Sequence, residues 1–333
     1  MGNIVKTNDG AFDKNAKVNV EGMLIPEFRL LYARDKKVDK KILIKLSGGM
    51  GDNICAEPAI RYAINHFKGN TFSITGEHLE LFQHLDAKFY DFDKNPLPDD
   101  EGYLTFDTFD QDGSFNYNWL VPPFIHCVDY ASLKMFRCQL PMADRCAQLH
   151  PKEKAESYDV VIHPGKTWPS RTAPKEFWDQ IIFMLRKKGV GVTLIGQDIP
   201  HDQQPRGTVA VDASDCLDLR NKLDVMQTVG VLQAAKVVLT NDSSPLHMAA
   251  SGQAWIGFLS TARHPEIITH YRNGGEFGWR MKNFASGGVW ESFDMCPNAS
   301  NLRMDLCRRS DMAKWLPEPK TMASWALEKL CGT

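Results

Sequence analysis

The stretch ILIKL (Ile42–Leu46), SGGMGDN (Ser47–Asn53), then Ile54, Ala59, Ile60, Ala63, Ile64 and Phe67 closed by Gly69, then TFSIT (Thr71–Thr75), decides the fold. The apolar run reads as a buried strand, the glycines as a tight loop, and the three-and-four spacing as a helix. Pro58 is expected in the first turn of that helix or at a kink, because proline has no N–H to give to a helix interior. Strand, glycine loop, helix, strand is the unit that opens a parallel sheet.

Working outward, the second half repeats this grammar. Tyr158–Ile162 reads as a strand and His163–Thr172 as a loop. Phe177–Lys188 has the spacing of an amphipathic helix ended by Gly189, and Gly191–Ile195 is a strand. Asp224–Ala235 is a helix, Lys236–Thr240 a buried strand, Asn241–Ser244 a turn, Pro245–Ser251 a short helix and Ala254–Leu259 a strand. Thr321–Leu330 reads as a closing helix. Two successive α/β halves predict an α/β protein of two Rossmann-like, doubly wound domains facing a cleft. The expected boundaries are an arm over 1–40, domains over 41–155 and 156–320, and a C-terminal helix over 321–333. The charged stretch Pro151–Ser157 is the expected linker, and residues 86–155 are expected to hold loops and short helices.

At 333 residues the chain is long enough for two cores. Hydrophobic residues at 43% and charged residues at 24% exclude wholesale disorder and fibrous classes. No apolar run approaches the ~18 residues that cross a bilayer, so no membrane span is expected. The N-terminus lacks the apolar core of a signal peptide, and Lys6 breaks the myristoylation pattern. A cytoplasmic location is expected, with the eight cysteines reduced. No CxxC pair occurs; Cys296 and Cys307 are the pair considered for a metal or redox role, against plain buried thiols. The sequon at Asn298 is expected to be chance. The net charge of −2 argues against a dedicated nucleic-acid binder, and the run Arg34–Lys41 reads as a solvated approach to the first strand.

Ligands of open parallel sheets sit beyond the carboxyl ends of the strands. Three loops fall there. In TNDSSPLHMAASG (Thr240–Gly252), Ser244 is expected to cap the short helix, with Pro245 at its first position and His247 in its first turn. Freed N–H groups and the helix dipole would suit a phosphate. In HPGKTWPSRTAP (His163–Pro174), Lys166, Thr167, Ser170 and Arg171 offer two cations and two hydroxyls for a diphosphate. In SGGMGDN, Asp52 at a helix start is either a general base or a helix cap.

At these three motifs the chain resembles the ADP-heptose:lipopolysaccharide heptosyltransferases, glycosyltransferase family nine. The carriers are strand-SGGMGD, the loop from His163 through Phe177-Trp178, and Leu223–Ala235 followed by VVLTNDSSPLHMAA. The resemblance covers roughly 41–80 and 158–275. It implies a GT-B architecture, with an acceptor-side first domain and a second domain that binds a nucleotide-sugar donor. It implies inverting, metal-independent transfer, with no cofactor beyond the nucleotide-diphosphate sugar as co-substrate. Carried over, Asp52 is the general base, with Arg171 and His247 as further catalytic residues. Gly51, Lys166, Thr167, Arg171, Leu223, Asp242, Ser243, Ser244 and His247 are donor-binding, and Asp198 or Asp202 could meet the ribose. Ser244 stands where the family usually has glycine, and residues 86–150 align with nothing in it. Only Lys88, Lys94, Lys134, Arg137 and Arg145 are basic there, few for an anionic lipopolysaccharide-core acceptor.

The acceptor is therefore read as a glycan or lipopolysaccharide core, with a hydroxymethylated pyrimidine in DNA as the alternative, kept open by the basic run Arg34–Lys45. Two further classes share the α/β halves. A dinucleotide oxidoreductase lacks its GxGxxG here. An inactive sugar-nucleotide-binding scaffold would show neither transfer nor donor hydrolysis.

Overall fold

The computed structural model describes residues 41–91, 94–96, 102–108, 126–136, 140–151, 156–165, 171–196, 211–261, 264–288 and 313–332. The chain divides into two compact units, Met1–Leu149 with Tyr271–Glu276, and His150–His270 with Phe277–Thr333. The crossing of 271–276 into the first unit lies well inside the stretch 156–320 that sequence assigns to the second domain.

The first unit is a four-stranded parallel sheet. Its strands are β1 (Lys41–Leu46), β2 (Thr71–Gly76), β3 (Lys88–Tyr90) and β4 (Tyr103–Asp107), in the order β3-β2-β1-β4. Ile42, Leu43 and Ile44 are consecutive and fully buried, the mark of a parallel strand covered on both faces. Helix α1 (Met50–His66) follows β1 and packs against α2 (Cys127–Phe136). Pro58 lies in the interior of α1, not in its first turn, and is buried there. The expectation of loops and short helices over 86–155 missed β3 and β4. Both are parallel neighbours in the sheet, β4 alongside β1 and β3 at the edge.

Buried charge ties this unit together. Glu57 on α1 is fully buried and accepts from Arg61 Nε at 2.8 Å and from the Gln148 amide at 2.9 Å, with His84 Nε2 at 3.2 Å. Arg61 also donates to the carbonyls of Asp144 and Cys146. The returning segment is seated by Tyr271, whose ring lies 4.7 Å from the Arg145 guanidinium and edge-on to His126. Arg145 in turn meets Asp129 at 3.2 Å. Gly275 permits a close approach: a Cβ there would stand 2.5 Å from the Met142 carbonyl oxygen.

The second unit is a six-stranded parallel sheet. Its strands are β5 (Tyr158–His163), β6 (Val192–Leu194), β7 (Leu217–Asp218), β8 (Ala235–Asn241), β9 (Trp255–Leu259) and β10 (Met281–Asn283). From one edge the order is β7-β6-β5-β8-β9-β10. In chain order that is 3-2-1-4-5-6, the doubly wound Rossmann arrangement, and the winding reverses between β5 and β8. Helices α3 (Lys175–Lys187), α4 (Val225–Ala234), α5 (Ser244–Ala250) and α6 (Pro319–Cys331) clothe it, α3 packing on α6 and α4 on α5. The Asp224 side chain caps α4, accepting from the Gln227 amide at 2.7 Å. Val160–Ile162 and Val237–Leu239 are completely buried. Among the described residues no helix is long and apolar enough to cross a membrane.

Candidate functional site

Each unit carries polar side chains at the carboxyl ends of its central strands, and each site is built within its own unit. In the second unit the point where the winding reverses is formed by the ends of β5 and β8. There β5 delivers His163, Pro164 and Gly165, and β8 delivers Thr240 and Asn241, followed by Asp242 and Ser243. His163 Nδ1 lies 3.3 Å from both Thr240 Oγ1 and Ser243 Oγ. Complete burial holds the imidazole pKa down to about 4, so the ring is neutral at ordinary pH. Its other edge lies against Gly196, after β6, where a Cβ would stand 2.8 Å from His163 Cδ2. Gly196 also has φ of +114°, which glycine adopts without strain.

Asn241 is fully buried and donates through Nδ2 to the Pro164 carbonyl at 3.1 Å. Asp242, also buried, faces Arg171 Nε at 3.3 Å. Arg171 and Asp242, each expected to contact donor, thus meet each other. Ser243, not Ser244, is the N-cap of α5; Ser244 is the first helical residue and Pro245 the second. That shift matters. Pro245 brings no N–H, Leu246 N is bonded to Ser243 O and Asp242 N to Leu259 O. The supply of outward amides is thinner than a phosphate cradle built on freed helix N–H groups would need. Arg171 and the Ser243 and Ser244 hydroxyls are the larger resource.

His247 is buried, and its Nδ1 lies 2.6 Å from Nε2 of His270, in the connection between β9 and β10. One of the two nitrogens must carry the proton and the other accept it. Leu223 is half-buried immediately before the cap of α4. Lys166, Thr167, Ser170, Asp198, Asp202, Cys296, Cys307 and Asn298 lie outside the described residues, as do Arg137 and the arm with its basic run up to Lys40.

In the first unit Ser47 N donates to Thr108 Oγ1 at 2.9 Å, and Thr108 Oγ1 reaches Asn53 Oδ1 at 3.4 Å. Asp52 Oδ2 accepts from the Gly49 amide at 3.0 Å. Of its two alternatives, the capping contact is the one the geometry displays. Gly51 is part of the first turn of the same helix.

Sequence reasoning missed four residues of these sites. His163 looked like the first residue of a loop, Asn241 like a turn, and His270 and Thr108 carried no local motif. Residues able to ligate a metal are present in both units. His247 and His270 present two nitrogens in the second, and Cys55 and Cys127, free and buried, have thiols within 4.8 Å of each other in the first. Imidazole and thiolate are both ligands for zinc- or iron-class ions.

Residues 126–256 match glycosyltransferase family 9 (heptosyltransferase). That span contains β5, β8, Arg171 and the Asp242–His247 segment. Over that span the chain is similar to the heptosyltransferase-like glycosyltransferases of family 9. Solved structures of GT-B heptosyltransferases share its fold. TibC, a bacterial iron-containing dodecameric glycosyltransferase from enterotoxigenic E. coli H10407, is 18% identical; the match covers 88% of this chain and 76% of that one, with a TM-score of 0.56. The glycosyl transferase family 9 protein of Veillonella parvula is 12% identical over 89% of this chain and 99% of its own, with a TM-score of 0.59. ADP-heptose lps heptosyltransferase II of E. coli is 13% identical, covering 80% and 98%, with a TM-score of 0.50. TibC has also been solved in complex with ADP-D-beta-D-heptose. No curated protein matches the chain.

Proposed function

We propose that this protein transfers a sugar, with inversion and without a required metal, from a nucleotide-diphosphate donor to a hydroxyl of a surface glycan or lipopolysaccharide core. The observation that carries the proposal is that the family match spans the reversal point of the second sheet, where an arginine and two serine hydroxyls stand at the strand ends. The donor's diphosphate takes Arg171, Ser243 and Ser244, with Lys166 and Thr167 from the same loop. A guanidinium has five N–H donors, so Arg171 can keep Asp242 on one edge and meet phosphate with another. His247, held by His270, is the further donor-side residue for the sugar or diphosphate. Leu223 lies under the base, and Gly51 lets the backbone approach the donor.

In the reaction the acceptor oxygen attacks the anomeric carbon. The bond from that carbon to the diphosphate oxygen breaks, its electron pair leaves with the nucleoside diphosphate, and the hydroxyl proton passes to the Asp52 carboxylate. The leaving anion is stabilised by Arg171. A carboxylate is the kind of group that takes such a proton as general base. Donors of this kind are made inside cells, and the same proposal puts the protein in the cytoplasm.

A thermal-shift panel of ADP, GDP, UDP and CDP with their common sugar conjugates tests the reading. One base is expected to raise Tm, by the mass-action stabilisation of a ligand that binds only the folded state. No shift with any nucleotide contradicts it. Transfer that survives EDTA supports metal independence, and its loss refutes that part alone. Duplex DNA bound with a steep salt dependence would move the acceptor from glycan to nucleic acid.

A further inference from the structure

The dipeptide Asn241–Asp242 holds two different points of the same loop. Asn241 Nδ2 donates to the carbonyl of Pro164, where the chain leaves β5. Asp242 meets Arg171, seven residues further along the chain than Pro164. These points are close together, since a Cβ on Gly165 would stand 3.5 Å from the Arg171 carbonyl oxygen. Gly165 has φ of +94°, and a Cβ there would run into Asn241 Nδ2, so the turn and the carboxamide are fitted to one another. Asn241 Oδ1 is buried and has no hydrogen-bond partner among the described residues. The carboxamide thus keeps its N–H on Pro164.

We propose that Asn241 and Asp242 are positioning residues: together they clamp the neck of the donor-side loop, Asn241 at Pro164–Gly165 and Asp242 at Arg171, and so fix where the Arg171 guanidinium sits. This deepens the donor-site reading above and moves Asp242 from donor ligand to holder of the ligand arginine. A carboxylate placed directly on a diphosphate would repel it, whereas one that orients an arginine strengthens the site.

The test uses the full chain with Asn241→Asp, Asp242→Asn, Arg171→Gln and the Asp242→Asn/Arg171→Gln double variant, probed by ADP, GDP, UDP and CDP binding well below each variant's Tm. Asn241→Asp keeps the shape but replaces the N–H that faces Pro164 with an oxygen; Asn241→Ala serves if it does not fold. Misplacing a phosphate ligand by a fraction of an ångström should weaken nucleotide binding about tenfold or more in Asn241→Asp and Asp242→Asn. Affinities within about twofold of the parent in both would overturn the clamp, because a merely structural role would lower Tm and leave binding intact. The Tm values give a second readout that needs no ligand. Asp242→Asn and Arg171→Gln should be non-additive, the double variant no less stable than the weaker single one. Additive losses overturn the pairing. If the parent binds none of the four nucleotides, the donor-site reading fails while this coupling still decides the clamp.

Discussion

The two units use the same topology at their strand ends and equip it differently. In each, the chain's first strand lies beside its fourth, β1 beside β4 and β5 beside β8. Each buries a carboxamide with one atom lacking a hydrogen-bond partner among the described residues: Nδ2 of Asn53 in the first unit, Oδ1 of Asn241 in the second. Beside Asn53 stands the Thr108 hydroxyl, itself held by the Ser47 backbone, with an acid, Asp52, turned onto its own helix start. Around Asn241 stand a neutral imidazole, two hydroxyls and an arginine–aspartate pair. The difference teaches that the fold supplies the crevice twice, while the charge that can meet an anion is gathered in the second unit.

The largest effect expected is at Asp52. Asn can accept the Gly49 N–H as aspartate does, so Asp52→Asn keeps the cap and removes the base. Transfer should fall about 10²- to 10⁴-fold with Tm nearly unchanged. Activity near the parent level would leave Asp52 as a cap alone and erase the chemical contrast between the units.

Next is the pH dependence of the second unit. His163 is held near 4 in the folded protein against an ordinary 6.5, so the unfolded chain binds its proton first. Its contribution is complete above pH 6.5 and is lost as pH falls toward 4, amounting to about 3 kcal/mol. Urea titrations across that range should show the loss, and His163→Asn should flatten it. An unchanged slope would mean that another group governs the second unit's acid sensitivity.

Gly196→Ala follows. It combines a positive φ with a Cβ against the His163 ring, and should cost about 1–3 kcal/mol by denaturant unfolding. A neutral result would show that the ring has room to move. The smallest effect belongs away from both sites: Phe183 on α3 is 65% exposed, and Phe183→Ser should change stability by no more than about 0.5 kcal/mol. A larger loss would reveal that this face of the second unit is covered.

The fold was legible where the period was long and the burial two-sided. β1, β2, β5, β8 and β9 are runs of consecutive buried residues, and α3 shows its buried stripe at Phe177, Ile181 and Leu185. Lys88–Tyr90 and Leu217–Asp218 were illegible, because strands of three and two residues have no period to read. The return of Tyr271 to the first unit was illegible too, since it depends on Arg145 and His126, far away in sequence. At the candidate site the loops could be located but not their pairings. Arg171 and Asp242 were each recognisable as chemistry, and nothing local says that they face one another. His270 lies 23 positions from its partner His247 with no motif between them. Ser243, not Ser244, takes the cap, and Asn241 stays in β8, one residue beyond the expected strand; neither shift has a local signal.

The most direct measurement is a crystal structure of the chain with the nucleoside diphosphate that raises Tm most. It should show the two phosphates within hydrogen-bond distance of Arg171 and the Ser243 or Ser244 hydroxyl, beyond the ends of β5 and β8. Phosphates bound anywhere else on the molecule, with Arg171 left on Asp242 alone, would contradict it.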